Sequence, residues 1–161
     1  MAMASAYDQL NDEQLLLLAI SIERCCARLY QDCAYRFRPY NPGISAVLEE
    51  LATEERQHEQ ELLALYREIL GEEADPRLPA PPELQAFIQG LQELSGHFFV
   101  VDSPMARTML EIALNIERHT HNFYLQIQNQ LEDPRVSAVI GRLVAFEEDH
   151  VRVFLERLGR I

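Results

Sequence analysis

Four long stretches of the chain carry apolar residues three and four positions apart, the spacing that gathers side chains on one face of a helix. Leu16, Ala19, Ala27 and Tyr30 share such a face; so do Leu48, Leu51 and Leu62, then Leu110, Ala113 and Tyr124, then Ile140, Leu143 and Phe154. Proline and glycine cluster around residues 39–43, 71–82, 90–104 and 133–134. That leaves helices predicted at about 12–37, 44–70, 104–131 and 135–158. Asn11 followed by Gln14 is a capping-box pattern ahead of the first, and Pro39 closes it. The second starts after Asn41-Pro42-Gly43 and stops at Gly71, a residue type suited to the left-handed position past a helix. Asp102-Ser103-Pro104 opens the third, with proline in the first turn. Asp133-Pro134 ends it and seeds the fourth, which finishes at Gly159. No segment alternates Val, Ile or Thr with polar residues and no Asn-Gly turn occurs, so the chain is predicted to be all-α.

The connections predict how the helices are arranged. Two are short, which makes antiparallel hairpins of helices one and two and of helices three and four. The third, residues 71–103, is long, begins with a stiff proline-rich segment and should contain a short helix near 83–95. A connection of that length can cross a four-helix bundle from end to end. The hairpins also read as copies of each other. Ile22 to Tyr30 aligns without gaps to Ile116 to Tyr124, four of nine positions being identical. Ser45 to Leu63 aligns to Ser137 to Leu155, with seven of nineteen identical. A duplication of this kind predicts pseudo-two-fold symmetry, so a special residue in one hairpin should have a counterpart in the other.

Composition narrows the partners. A formal net charge of −12 argues against nucleic acid and against anionic membranes, both of which need a basic footprint. The longest apolar run, Leu15 to Ile20, is far too short to span a bilayer, and the N-terminus lacks the basic segment of a signal peptide. Cys25, Cys26 and Cys33 form no Cys-x-x-Cys pair and fit reduced thiols, so the expected compartment is the cytoplasm.

Six ionisable groups break into the apolar faces. Glu23 lies in line with Leu16 and Tyr30, and Glu117 with Leu110 and Tyr124. Glu55 and His58 fall among Leu48, Leu51 and Leu62, and Glu147 and His150 among Ile140, Leu143 and Phe154. Four carboxylates in an apolar core cannot all stay ionised and unpaired, since each uncompensated charge costs several kcal/mol. Two divalent cations cancel four Glu charges, and two neutral imidazoles leave that balance unchanged. Iron and manganese accept such mixed ligands, and zinc is an alternative. One Glu from each of two helices plus a Glu-x-x-His pair from each of the other two is a known recipe for a two-metal site. A single Glu-x-x-His pair would read as an exposed helical contact. Two such pairs at equivalent positions of a repeat, each with an inward Glu in matching register, point to metal. His121, one turn after Glu117, breaks the symmetry because its counterpart is Ala27. It is a candidate extra ligand or proton donor, and otherwise a partly exposed or hydrogen-bonded histidine.

This pattern, an inward Glu with Tyr seven residues on and then Glu-x-x-His, repeated once over residues 12–158, resembles the rubrerythrin and ferritin-like di-iron family. The resemblance implies one ferritin-like domain over residues 1–161, with hairpins at about 12–70 and 104–158 and the crossover at 71–103. It implies two iron ions, with Glu55 and Glu147 bridging, Glu23 and Glu117 terminal, and His58 and His150 completing each ion. Tyr30 and Tyr124 resemble the tyrosines that hydrogen-bond to ligand carboxylates in that family. The implied activity is oxidoreductase, reducing hydrogen peroxide or using dioxygen to oxidise ferrous iron. The alternatives are an iron storage or handling protein without turnover, and a bundle that its metals merely stabilise. Two features depart from the family. The cysteine pairs of a rubredoxin-like iron domain are missing, so electrons are expected from a separate donor protein or from ferrous iron itself. The extra carboxylate near the third-helix Glu is also missing, Leu114 and Thr120 standing three residues either side of Glu117. A homodimer is an assembly the reading allows.

Overall fold

The computed structural model describes residues 7–75 and 103–160 together with Gln85 and Gln89. Four long helices are seen among the described residues: α1 (Asp12–Phe37), α2 (Pro42–Leu70), α3 (Ser103–Gln128) and α4 (Pro134–Leu158). The capping box at the start of α1 is complete. Asn11 Oδ1 accepts from the Gln14 amide at 2.9 Å, and Gln14 Oε1 accepts from the Asn11 amide at 3.0 Å. Asn41 repeats the first half of this device for α2, taking the Ile44 amide at 3.1 Å. α2 therefore begins at Pro42, two residues before the predicted start, because proline fits the first turn where no amide is needed. It ends at Gly71, whose φ of 71° is open to glycine at little cost.

α3 stops at Gln128, three residues short of its predicted end at 131. Tertiary contact explains the difference. The amides of Glu132 and Asp133 donate to the Asp12 carboxylate of α1, the latter at 2.7 Å, and a helix running on to Leu131 would not present them there. Asp133 then caps α4 through the Arg135 amide. The Asp102 cap expected for α3, and all of the predicted helix at 83–95 except the helical Gln85 and Gln89, lie outside the described residues.

Side-chain pairings give the order of helices around the bundle. Between α1 and α2, Ser45 donates to the Ala34 carbonyl, Arg24 pairs with Glu59, and Tyr66 reaches Glu13. Partner numbers fall as the chain rises, so the two helices are antiparallel. The same holds for α2 with α4 (Glu68 with Arg135, Glu61 with Arg142), for α1 with α3 (Glu23 with Tyr124, Tyr30 with Glu117) and for α3 with α4 (Thr120 with Glu147). The order around the ring is α1, α2, α4, α3. α2 and α3 are consequently diagonal and parallel, so the end of α2 and the start of α3 lie at opposite ends of the bundle, roughly 40 Å apart at 1.5 Å per residue. The apolar faces read from the sequence all point into this core. Leu48, Leu62, Leu110, Leu143 and Phe154 are wholly buried, each worth about 1.5–3 kcal/mol relative to exposure. No helix among the described residues is long and apolar enough to cross a membrane.

Candidate metal centre

All six ionisable groups on the inward faces meet at mid-bundle. Glu23 and Glu117 have no exposed surface, Glu55 and Glu147 are 1% exposed, and both histidines are buried. They form two sets whose potential ligand atoms lie within 4.8 Å of one another: Glu23, Glu55, His58 and Glu147, and Glu55, Glu117, Glu147 and His150. Glu55 and Glu147 stand in both. Each set draws on three helices, and each is large enough to hold a metal ion.

Both histidines turn Nδ1 inward. His58 Nδ1 is 3.2 Å from Glu23 Oε2 and 3.5 Å from Glu55 Oε2. His150 Nδ1 is 3.1 Å from Glu117 Oε2 and 2.9 Å from Glu55 Oε1. The two rings lie nearly parallel, with centroids 6.0 Å apart. The tyrosines cross between hairpins: Tyr30 donates to Glu117 and Tyr124 donates to Glu23. Each phenol is wholly buried and meets a carboxylate of the opposite hairpin.

Electrostatics favour a cation here. Burial, and then the charge of Glu55, push the Glu23 carboxyl well above the ordinary range. Burial and the neighbouring Glu117, Glu55 and Glu23 do the same to Glu147. Burial also works against ionised Glu117, but hydrogen bonding and charge from His150 outweigh it and hold that carboxyl below its usual value. For His150, burial opposes the charged form and is overcome by its close contacts with the Glu117, Glu54 and Glu55 carboxylates, so its proton is held well above the usual imidazole range. Protons thus do part of the charge balancing that cations would do. One weak point is left: buried Glu55 Oε1 lies 2.9 Å from His150 Nδ1, but no well-aligned hydrogen bond reaches it among the described residues. A buried carboxylate oxygen without a well-aligned donor costs on the order of 1–3 kcal/mol, and a metal ion at the junction of the two sets would remove that cost. The donor set of four carboxylates and two imidazoles fits iron, manganese or zinc.

Several participants escape a reading of the helical faces. Glu54 precedes Glu55 and lies off the inward stripe, yet its Oε2 is 2.8 Å from His150 Nε2. Its place one residue before a Glu-x-x-His pair was the only available signal. Thr120 Oγ1 lies 2.9 Å from Glu147 Oε2 and can donate to it. Cys26, the repeat counterpart of Thr120, is buried and unpaired; burial and then the nearby Glu55, Glu117 and Glu23 push its thiol well up, which keeps it protonated. Cys25 is half-buried. His121 is half-buried and stands in neither ligand set. Beside the site, between α2 and α4, a cavity of about 660 Å³ is lined by Glu54, His58, Phe146 and His150 among others.

The sequence model of the rubrerythrin family matches residues 14–158. No curated protein and no solved structure matches the chain.

Proposed function

The chain belongs to the rubrerythrin family, and on that premise we propose that it is a non-haem di-iron protein that reduces peroxide or oxidises ferrous iron. The observation carrying this reading is the pair of buried ligand sets joined through Glu55 and Glu147. In this reading Glu55 and Glu147, which stand in both sets, would be shared between two ions. Glu23 and His58 would complete the shell of one ion, and Glu117 and His150 that of the other. Bound iron would supply the redox chemistry, two electrons for each dioxygen or hydrogen peroxide consumed.

The residues do the rest. Tyr30 and Tyr124 hold the terminal carboxylates, and Thr120 holds Glu147, so the ligands cannot swing into the solvated face. The apolar packing around them excludes bulk water. The cavity between α2 and α4 gives a small oxidant a route to the histidine side of the site. Ferrous iron itself or an electron-donor protein supplies the electrons. The chain's unpaired cysteines fit the reducing cytoplasm. The test is anaerobic loading with ferrous iron, metal analysis, and then measurement of peroxide and oxygen consumption. Two ions per chain and a matching absorption change on oxidation are expected. Less than about one ion per chain, with no consumption, overturns the reading.

A further inference from the structure

The repeat relates each residue around the second Glu-x-x-His pair to one 92 positions earlier, Glu147 to Glu55 and His150 to His58. In the same register Phe146 is the counterpart of Glu54. Both line the cavity between α2 and α4, and each faces the histidine of the opposite helix. There the symmetry fails. Glu54 Oε2 lies 2.8 Å from His150 Nε2, whereas the Phe146 ring packs on His58 with centroids 4.8 Å apart and planes 35° apart. One imidazole has a carboxylate behind it; the other has a hydrocarbon ring.

We propose that Glu54 is a positioning residue for His150 and that it makes the two metal positions unequal, the ion held by Glu117 and His150 being bound more tightly. The inference rests on the two-metal reading above. His150 offers Nδ1 to the ligand set, 3.1 Å from Glu117 Oε2, so its remaining proton belongs on Nε2. A carboxylate accepting from Nε2–H fixes the tautomer and the ring plane, and it makes Nδ1 a better donor to a cation. Phe146 has no in-plane acceptor to offer His58. The Glu54 side chain is 42% exposed and can be replaced without opening the core.

The test uses the full chain, stripped with a chelator and titrated with Zn²⁺ against a competing indicator. Wild-type protein should bind two ions in two distinguishable steps. Glu54→Ala should weaken the tighter step by roughly 10- to 100-fold and leave the weaker one unchanged. Glu54→Gln, which keeps an acceptor oxygen, should recover part of the loss, and Phe146→Ala should leave the difference between the steps in place. In the zinc-loaded protein, nitrogen-15 histidine spectra should show a protected Nε2–H on His150 that Glu54→Ala abolishes. Equal weakening of both steps, no weakening, or an unchanged Nε2–H signal overturns the inference alone. A wild-type chain that takes up no pair of ions overturns the metal reading and this inference with it.

Discussion

Replacing Tyr30 by Phe removes one oxygen from a wholly buried side chain and leaves its ring beside Phe154 in place. The same change at Tyr124 is its counterpart in the repeat, with the ring beside Phe123. Neither substitution opens a significant cavity, so each reports on one hydrogen bond. The acceptors differ in charge. Glu117, the partner of Tyr30, is kept ionised by His150, while Glu23, the partner of Tyr124, is pushed towards its neutral form by burial and by Glu55. A hydrogen bond to a charged group contributes about 1.5–3 kcal/mol, and a neutral one about 0.5–1.5 kcal/mol. In metal-free protein at neutral pH, Tyr30→Phe should therefore be the more costly change by about 1 kcal/mol, or about 2–4 °C in Tm for a chain of this size. Loading with metal makes both carboxylates anionic ligands and should bring the two penalties together. Paired denaturant and thermal unfolding of both variants, with chelator and with Zn²⁺, measures this directly. Equal penalties in the metal-free protein, or a larger one at Tyr124, would refute the unequal charging of Glu23 and Glu117.

Further outcomes follow from the same charges and from the helix ends. The proton affinities of Glu23, Glu147 and His150 are raised in the folded state. The folded chain then holds more protons than the unfolded chain, and stability must fall as pH rises. For the two carboxyls the loss begins near their unfolded value of about 4.5, and for His150 near about 6.5. Lowered Glu117 adds stability only above its unfolded value and loses it in acid, so it does not reverse this trend. Metal-free protein should melt higher at pH 5.5 than at pH 8, and saturating Zn²⁺ should reverse the order; a scan of Tm against pH checks both. Glu147→Gln removes a crowded buried charge while keeping an acceptor for Thr120, so it should raise the Tm of the metal-free protein at pH 8 and lower metal uptake, read by calorimetry and metal analysis. Gly71→Ala places a Cβ on a backbone at φ 71° and should cost about 1–2 kcal/mol in denaturant unfolding without changing metal stoichiometry.

Most helix ends, the inward faces and the six candidate ligands were legible from residues alone, because each depends on interactions within about one helical turn. Asn11 finds Gln14, Gly71 accepts a left-handed backbone, and His58 shares a face with Glu55 whatever the other helices do. The internal repeat added the expectation that each such feature occurs twice. What a helical face cannot specify is the group opposite it. Tyr30 is on the same stripe as Glu23, yet it reaches Glu117, because the ring order sets α3 beside α1. Glu54 lies off the inward stripe and gains its partner only because α4 packs beside α2, bringing His150 within 2.8 Å. α3 ends three residues early because Asp12, over a hundred positions away in the chain, takes the amides that follow it. The sequence by itself determined the helices and their inward charges, since those are short-range. Which charge meets which phenol, threonine or imidazole was decided by how the hairpins pack, and that packing separates two ligand sets the repeat alone would have made alike.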